Sequence, residues 1–239
     1  MEKINIDNEP NKNRANEHIN YLRQFMTERR IEVLNKVLAE RTEYVTLCLE
    51  NIYHSQNASA VIRTAEAFGL QKVHVIDELL PFEPSLGVVR GTDKWLDIVN
   101  HSEKEATKNL ITNLKKEGYR IVATSPHDLG KAPEEFDITK GKVAVFMGSE
   151  KQGLSETALS MADEYITIPM NGFVESLNIS VCTAIILNSL TKKLRKEPSI
   201  KWELTQEQRD RLFYKWVLLS VKDYERILLK YEKDKINIK

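Results

Sequence analysis

Residues 168–187 read I-P-M-N-G-F-V-E-S-L-N-I-S-V-C-T-A-I-I-L, and this stretch decides how the rest of the chain is interpreted. The apolar segment before Pro169 predicts a short buried strand. This strand must end at the proline, because proline cannot donate a hydrogen bond to a neighbouring strand. After a loop that contains Gly172, apolar residues recur at helical spacing from Leu177 onward and on most sides, which predicts a core helix. The stretch is therefore a predicted strand, loop and buried helix.

Three small polar residues, Ser176, Asn178 and Ser180, stand at the start of the predicted helix. Ser176 and Asn178 can cap the helix, because its first turn has unpaired backbone N–H groups. They can also line a ligand site, because open α/β sheets bind ligands in loops at the carboxyl ends of their strands. The residues alone leave both interpretations open.

Composition narrows the class of protein. The chain has 239 residues, of which 41% are hydrophobic and 29% charged, a balance typical of globular proteins. No apolar run approaches the ~20 residues that span a bilayer, and the polar start does not resemble a signal peptide, so we expect a cytoplasmic protein. Cys48 and Cys182 are expected to be small buried residues rather than a disulfide. The five histidines lack metal-ligand spacing, so no metal site is predicted.

The charge of the chain is balanced, with 35 basic and 35 acidic residues. This total argues weakly against a nucleic-acid binder, since phosphate binding usually leaves a basic excess. Residues 192–201 (K-K-L-R-K-E-P-S-I-K) nevertheless hold five basic side chains and one acidic one. The cluster is either a solvated helix end or a patch for an RNA backbone, and it does not decide between these alternatives by itself.

Strand and helix patterns alternate through the middle of the chain, which predicts an α/β fold with a mostly parallel sheet and helices on both faces. The predicted strands are 44–49, 72–77, 95–99, 119–124, 142–147 and 165–168. The predicted helices between them include 103–117. Amphipathic patterns at 14–41 and 205–236 predict helical extensions at both ends. We expect an N-terminal extension at 1–42, an α/β domain at 43–197 and a C-terminal extension at 198–239.

Polar residues follow two of the predicted strands. Asn57 is predicted to be the N-cap of a helix whose apolar stripe does not include Arg63. Because helical side chains lean toward the helix N-terminus, the Arg63 guanidinium is expected over the turn nearest Asn57. The alternative is a surface arginine beside an ordinary cap. Thr124 ends another strand and offers a hydroxyl where such a sheet would bind a ligand.

A tight turn follows the predicted strand 142–147. Gly148 and Gly153 have the spacing of a phosphate-binding P-loop, but Leu154 and Ser155 stand where that motif requires Lys and Ser or Thr. No G-x-G-x-x-G follows a predicted strand either, so sites for nucleoside triphosphates and dinucleotides are not supported. What remains is a turn carrying Glu150, a carboxylate that is either solvated or part of a site, and a helix that starts near Ser155.

Three motifs resemble, in order, the signatures of the SpoU branch of the SPOUT RNA ribose methyltransferases. They are N-x-x-A-x-x-R at 57–63, G-S-E-x-x-G-L-S at 148–155 and I-P-M-x-G-x-x-x-S-L-N at 168–178. R-G-T-D-K-W at 90–95 is similar to a further loop of that family. Ser59 and the short helical flanks resemble its tRNA-modifying subgroup, called TrmH.

The resemblance implies a trefoil knot in the C-terminal half of the domain, S-adenosylmethionine as cofactor and a homodimer. The implied reaction is methylation of a ribose 2′-hydroxyl of tRNA, in the first place a D-loop guanosine. The alternatives are a ribosomal-RNA ribose methyltransferase and an inert RNA-binding protein on the same scaffold. The implied cofactor contacts are Thr124, Gly148, Ile168, Ser176 and Leu177. The implied catalytic residues are Arg63, Asn57, Glu150, Ser176 and Asn178.

Among these residues Arg63 is expected beside the reacting hydroxyl. A guanidinium with a pKa above ~12 is a poor proton acceptor. We therefore expect Arg63 to hold the RNA phosphate and stabilise the developing alkoxide, with phosphate or water as the acceptor. Asn57 would position Arg63 or the ribose, Glu150 would order its loop, and Ser176 and Asn178 would shape the pocket.

Overall fold

The computed structural model describes residues 11–52, 54–78, 91–125 and 130–237, and the chain divides into two compact units. The described helices are α1 (Lys12–Arg23), α2 (Glu28–Ala39), α3 (Ser55–Ala67), α4 (Ala106–Lys116), α5 (Glu156–Met161), α6 (Ile179–Lys196), α7 (Gln206–Ser220) and α8 (Tyr224–Asn237). The described strands are β1 (Val45–Glu50), β2 (Lys72–Ile76), β3 (Asp97–His101), β4 (Tyr119–Thr124), β5 (Lys142–Met147) and β6 (Glu164–Ile166). No described helix is both long enough and apolar enough to cross a membrane.

The larger unit, Thr42–Glu203, contains a six-stranded sheet in the order β3-β2-β1-β5-β4-β6. All five pairings are parallel, and the register sets Leu47 of β1 opposite Val73 of β2 and Val145 of β5. β1 and β5 lie at the centre, so the loops that follow them are neighbours at one edge of the sheet. The predicted parallel α/β fold is confirmed.

Both faces of the sheet are buried. Val45, Leu47 and Leu49 of β1 pack on one side in a core shared with α3 and α6. Cys48, which points the other way, packs in a second core with α4 and α5. This alternation follows from the period of two along a strand, and it confirms helices on both faces. The trefoil knot stays a prediction.

The predicted bounds of several elements differ from the observed ones by up to three residues. The strand expected at 95–99 is Asp97–His101, because Trp95 belongs to a 3-10 turn that precedes it. The helix expected from residue 103 begins at Ala106. Glu105, the N-cap, has a left-handed φ of 57°, a conformation that cannot be part of a right-handed helix. The strand expected at 165–168 is Glu164–Ile166. Residue 90, the first of the motif at 90–95, lies outside the described residues.

Helix α6 is less buried than its sequence predicts. Its buried side includes Ile186, Leu187, Leu190 and Leu194, which pack in the core. Val181, however, is 46% exposed. The predicted core helix is confirmed, but α6 packs in the core with one face and leaves apolar surface exposed on another. Cys48 is fully buried as predicted, whereas Cys182 is half-buried.

Strands β2 and β3 bring two histidines together on the sheet. Nδ1 of His74 lies 3.0 Å from Nε2 of His101. Burial, the neighbouring imidazole of His101 and the charge of Lys72 lower the pKa of His74 to about 3. Burial also lowers the pKa of His101. Both rings are therefore neutral at physiological pH.

The smaller unit combines the described residues up to Arg41 with those from Leu204 onward. The terminal patterns fold as two helices each, α1 with α2 and α7 with α8. At their centre His18 is 1% exposed, with Nδ1 3.0 Å from the Tyr214 hydroxyl and Nε2 2.8 Å from Oε1 of Glu232. This hydrogen bond from His18 and the Arg14 guanidinium lower the pKa of Glu232. The buried histidine is thus fully paired.

Candidate functional site

Three segments meet at the carboxyl edge of the sheet. The first comprises the end of β1, after which Asn51 has a left-handed φ of 50°, and the first turn of α3. The second is the loop at residues 148–155, between β5 and α5, which we call the 148–155 loop. The third is the start of α6. The hydrogen bonds described next join these segments, so the predicted convergence of three separated motifs is confirmed for one residue of each.

Asn57 is the centre of this network. Its Nδ2 donates to Oε1 of Glu150 at 2.7 Å, and its Oδ1 accepts from Nδ2 of Asn178 at 3.2 Å. In the chain, Glu150 is 93 positions and Asn178 is 121 positions from Asn57.

Of the three residues predicted as helix caps, Asn178 is confirmed, whereas Asn57 and Ser176 are not caps. Helix α3 begins at Ser55, and its N-cap is His54, which makes no side-chain cap bond. Asn57 therefore lies in the first turn, and its amide bonds to the two other segments instead. At α6 the N-cap is Asn178, whose Oδ1 accepts from the N–H of Ser180 at 2.9 Å. Ser176 lies before this cap and is exposed.

The 148–155 loop is closed on itself. Backbone hydrogen bonds of 3.0 and 2.9 Å join Ser149 and Gly153 in both directions. A Cβ added at Gly148 would lie 2.2 Å from the Gly153 carbonyl carbon and the Leu154 nitrogen, so only glycine fits this closure. The exposed side chain of Glu150 stands within the turn. Ser155 caps α5 as predicted.

Glu50, which belongs to none of the three motifs, holds the end of this loop. Glu50 is only 2% exposed. Its Oε1 accepts from the hydroxyls of Thr107 at 2.6 Å and Ser155 at 2.7 Å, and its Oε2 accepts from the Ser155 N–H at 2.8 Å. The signal in the sequence is a carboxylate that ends a strand which is apolar up to that point. Such a group must find partners if it is buried.

Arg63 and Ser176 are not part of the network. Arg63 is exposed on α3, off the buried stripe that includes Val61 and Ile62, and it makes no hydrogen bond or ion pair to a described residue. Its side chain is therefore available for an anion. Ser176 is likewise exposed, in the loop before α6.

The remaining predicted contacts lie near the same edge. The Thr124 hydroxyl, at the end of β4, donates to the Phe146 carbonyl at 2.9 Å, which leaves its lone pairs free to accept. Ile168 and Leu177 are half-buried, and Ile168 packs against the core beneath. Gly148 begins the 148–155 loop. These four positions offer a hydroxyl, backbone groups and apolar side chains rather than charge.

The basic cluster at 192–201 is partly used within the fold. Lys193 donates to the carbonyls of Pro133 at 3.3 Å and Phe136 at 2.9 Å. Arg195 donates to the Phe68 carbonyl at 3.0 Å, and its guanidinium lies 5.5 Å from the Trp202 ring. Lysine and arginine near a helix C-terminus often bond free carbonyls. These two residues are thus structural, and a patch of five free cations is not present.

The fold and the site place this chain among the α/β proteins with a parallel sheet, which bind ligands in the loops at the carboxyl ends of their strands. Within this class, residues 44–188 match the SpoU rRNA Methylase family. The chain belongs to that family, as its three motifs predict.

Several known proteins are similar to this chain. The tRNA (guanosine(18)-2′-O)-methyltransferase of Borreliella burgdorferi is 41% identical over 209 residues, which cover 87% of this chain and 94% of that protein. The crystal structure of a TrmH/SpoU tRNA modifying enzyme from A. aeolicus has a TM-score of 0.70 at 27% identity, covering 81% and 98% of the two chains. An AdoMet-bound rRNA methyltransferase from Sinorhizobium meliloti has a TM-score of 0.56 at 26% identity, covering 67% and 60%.

Proposed function

We propose that this protein transfers a methyl group from S-adenosylmethionine to the ribose 2′-hydroxyl of guanosine 18 in tRNA, the reaction for which its relative from Borreliella burgdorferi is named. The observation that carries the proposal is the hydrogen-bonded network of Asn57, Glu150 and Asn178. One residue from each of three distant motifs takes part in it. These hydrogen bonds hold the first turn of α3, the 148–155 loop and the start of α6 together, at the carboxyl ends of the strands where sheets of this kind bind ligands.

The residues at the edge fit S-adenosylmethionine. The half-buried side chains of Ile168 and Leu177 suit the face of an adenine ring. Gly148, where a side chain cannot be accommodated, presents bare backbone. Thr124 offers hydroxyl lone pairs and Ser176 an exposed hydroxyl for the polar parts of the molecule. Ligand sites commonly combine apolar walls with a few such polar groups.

The cofactor supplies a methyl group that is already activated by its sulfonium charge. The task of the protein is to align a ribose hydroxyl and to assist loss of its proton, and alignment can contribute up to ~7–11 kcal/mol. Arg63 holds an RNA phosphate and stabilises the alkoxide as it develops, since a guanidinium does not accept a proton at neutral pH. A phosphate group or a water molecule then accepts the proton of the ribose hydroxyl.

The amide of Asn57 is occupied on both sides by Glu150 and Asn178. Asn57 therefore holds the 148–155 loop and the start of α6 at fixed positions beside the first turn of α3. Glu150 orders its loop through the same bond, and Ser176 and Asn178 shape the pocket. Arg63 lies on α3, so the network also fixes the helix that carries it.

The proposal includes a homodimer, the trefoil knot of the family and a cytoplasmic location, where tRNA is found. Apolar side chains at the site are exposed in the single chain: Phe173 is fully exposed, Val174 is 62% and Val181 46% exposed. A second copy that covers this surface would bury it. Sedimentation at micromolar concentration measures whether the protein is a dimer.

Methylation of total tRNA and total rRNA, followed by mapping of the modified nucleotide, tests the reaction. We expect a 2′-O-methyl group on guanosine 18 of tRNA and none on rRNA. Methylation of rRNA alone would favour the ribosomal-RNA enzyme. Absence of both products, together with absence of S-adenosylmethionine binding in a calorimetric titration, would favour an inert RNA-binding protein.

A further inference from the structure

Glu50 and Asn57 hold the 148–155 loop at two points. At the tip of the loop Asn57 donates to Glu150 at 2.7 Å. At its far end Glu50 accepts from the hydroxyl and the N–H of Ser155 at 2.7 and 2.8 Å. Glu50 and Asn57 are seven positions apart in the chain. Glu50 ends β1, and Asn57 lies in the first turn of α3. The position of the whole loop therefore depends on these two residues.

The contacts of Glu50 differ in kind from those of Asn57. Glu50 is 2% exposed and sits in the second core beside Cys48, whose thiol pKa is raised by burial and by the nearby Glu50 carboxylate. Burying a carboxylate is costly unless both of its oxygens accept hydrogen bonds. Here two hydroxyls and one N–H supply three donors, from the loop and from Thr107 of α4. An apolar residue would fill the space at lower cost but could not hold Ser155.

We propose that Glu50 is a positioning residue of the active site, which acts by fixing the 148–155 loop through Ser155. This inference rests on the proposed function, because it is that reaction which requires Gly148 and Glu150 to stay in place. Glu50 itself is buried below the edge and does not touch the substrate. Thr107 completes the arrangement, since its hydroxyl donates to the same carboxylate oxygen as Ser155.

The test is a double-mutant cycle of Glu50→Gln and Glu150→Gln, measured as the turnover of tRNA methylation. A neutral amide keeps the shape of Glu50 but offers one acceptor where the carboxylate offers two. We expect Glu50→Gln to lower turnover about tenfold in the wild-type background, the size of one lost charged hydrogen bond. In the Glu150→Gln background the loss should shrink to about twofold or less, because the two residues act through one loop.

Hydrogen exchange gives a second measurement that does not depend on activity. Peptides covering 148–155 should exchange faster in Glu50→Gln than in wild type, while peptides from β4 should not change. The matched control is Glu43→Gln, just before the opposite end of β1, where the carboxylate lies 3.5 Å from Nζ of Lys72. This control should leave both turnover and exchange of the loop unchanged.

A milder pair of variants covers the case in which Glu50→Gln does not fold. Thr107→Val removes one donor to Glu50 at constant shape, and Thr107→Ser restores it. The inference requires a turnover loss in Thr107→Val that Thr107→Ser rescues and that fades in the Glu150→Gln background. Equal losses in both backgrounds, or no loss with unchanged exchange, would overturn it. A wild-type protein that neither binds S-adenosylmethionine nor methylates RNA would instead overturn the proposed function, while exchange would still report on the loop.

Discussion

Acid should destabilise the sheet through the histidine pair of β2 and β3. Burial, His101 and Lys72 lower the pKa of His74 to about 3 in the folded chain, whereas an unfolded histidine has a pKa of about 6.5. As pH falls the unfolded state therefore takes up the proton first. The neutral pair contributes its full stability above about pH 6.5 and loses it progressively down to about pH 3.

The size of the effect follows from these two values. At about pH 5 the unfolded ring is almost fully protonated and the folded ring of His74 is not, which lowers the free energy of unfolding by about 2 kcal/mol. This result hardly depends on the folded pKa, because any value below about 4 leaves the buried ring neutral at that pH. A typical domain has about 5–15 kcal/mol of stability, so the loss is measurable.

Urea denaturation of wild type and His74→Leu at about pH 7.5 and about pH 5 measures this loss. Comparing the two pH values within each protein cancels the packing change that leucine introduces. We expect wild type to lose about 2 kcal/mol more than His74→Leu on acidification. Equal losses in the two proteins would refute the assignment of the effect to His74.

Three further outcomes follow from the site. Arg63→Ala should lower methyl transfer by well over tenfold without weakening calorimetric binding of S-adenosylmethionine, and activity within about tenfold of wild type would remove Arg63 from catalysis. Gly148→Ala places a Cβ 2.2 Å from the Gly153 backbone, so the loop must shift and affinity for S-adenosylmethionine should fall at least about tenfold. Asn178→Ala should cost about 1 kcal/mol of stability in thermal unfolding through loss of the α6 cap, whereas Asn178→Asp keeps the cap acceptor and should restore most of it.

The pattern of apolar residues predicted the central strands, because helices cover both faces of the sheet there and the strands are apolar throughout. Strands Tyr119–Thr124 and Lys142–Met147 were predicted at their observed bounds, since a run of apolar residues ends where burial ends. The predicted start of a helix was wrong where the backbone conformation of a single residue decides it. Glu105, with its φ of 57° and its N–H bonded to Glu78, starts α4 later than the apolar pattern suggests.

The motifs predicted which residues lie at one end of the sheet but not their contacts. Asn57, Glu150 and Asn178 were expected at one edge because their motifs matched a family, yet no local pattern encodes a hydrogen bond across 93 or 121 residues. Glu50 lies in no matched motif position and reads as the last residue of a strand. Its importance appears only when Thr107 and Ser155 are brought beside it.

Asn178 resolves the choice between a helix cap and a site residue, because the two ends of its amide do different things. Its Oδ1 caps α6 through the N–H and hydroxyl of Ser180, and its Nδ2 donates to Asn57. Serine at this position could cap the helix but is too short to reach Asn57, and aspartate could cap it but has no donor. An amide is therefore the one short side chain that can start α6 and tie its first turn to α3, so stability of the helix and geometry of the site are set by the same group.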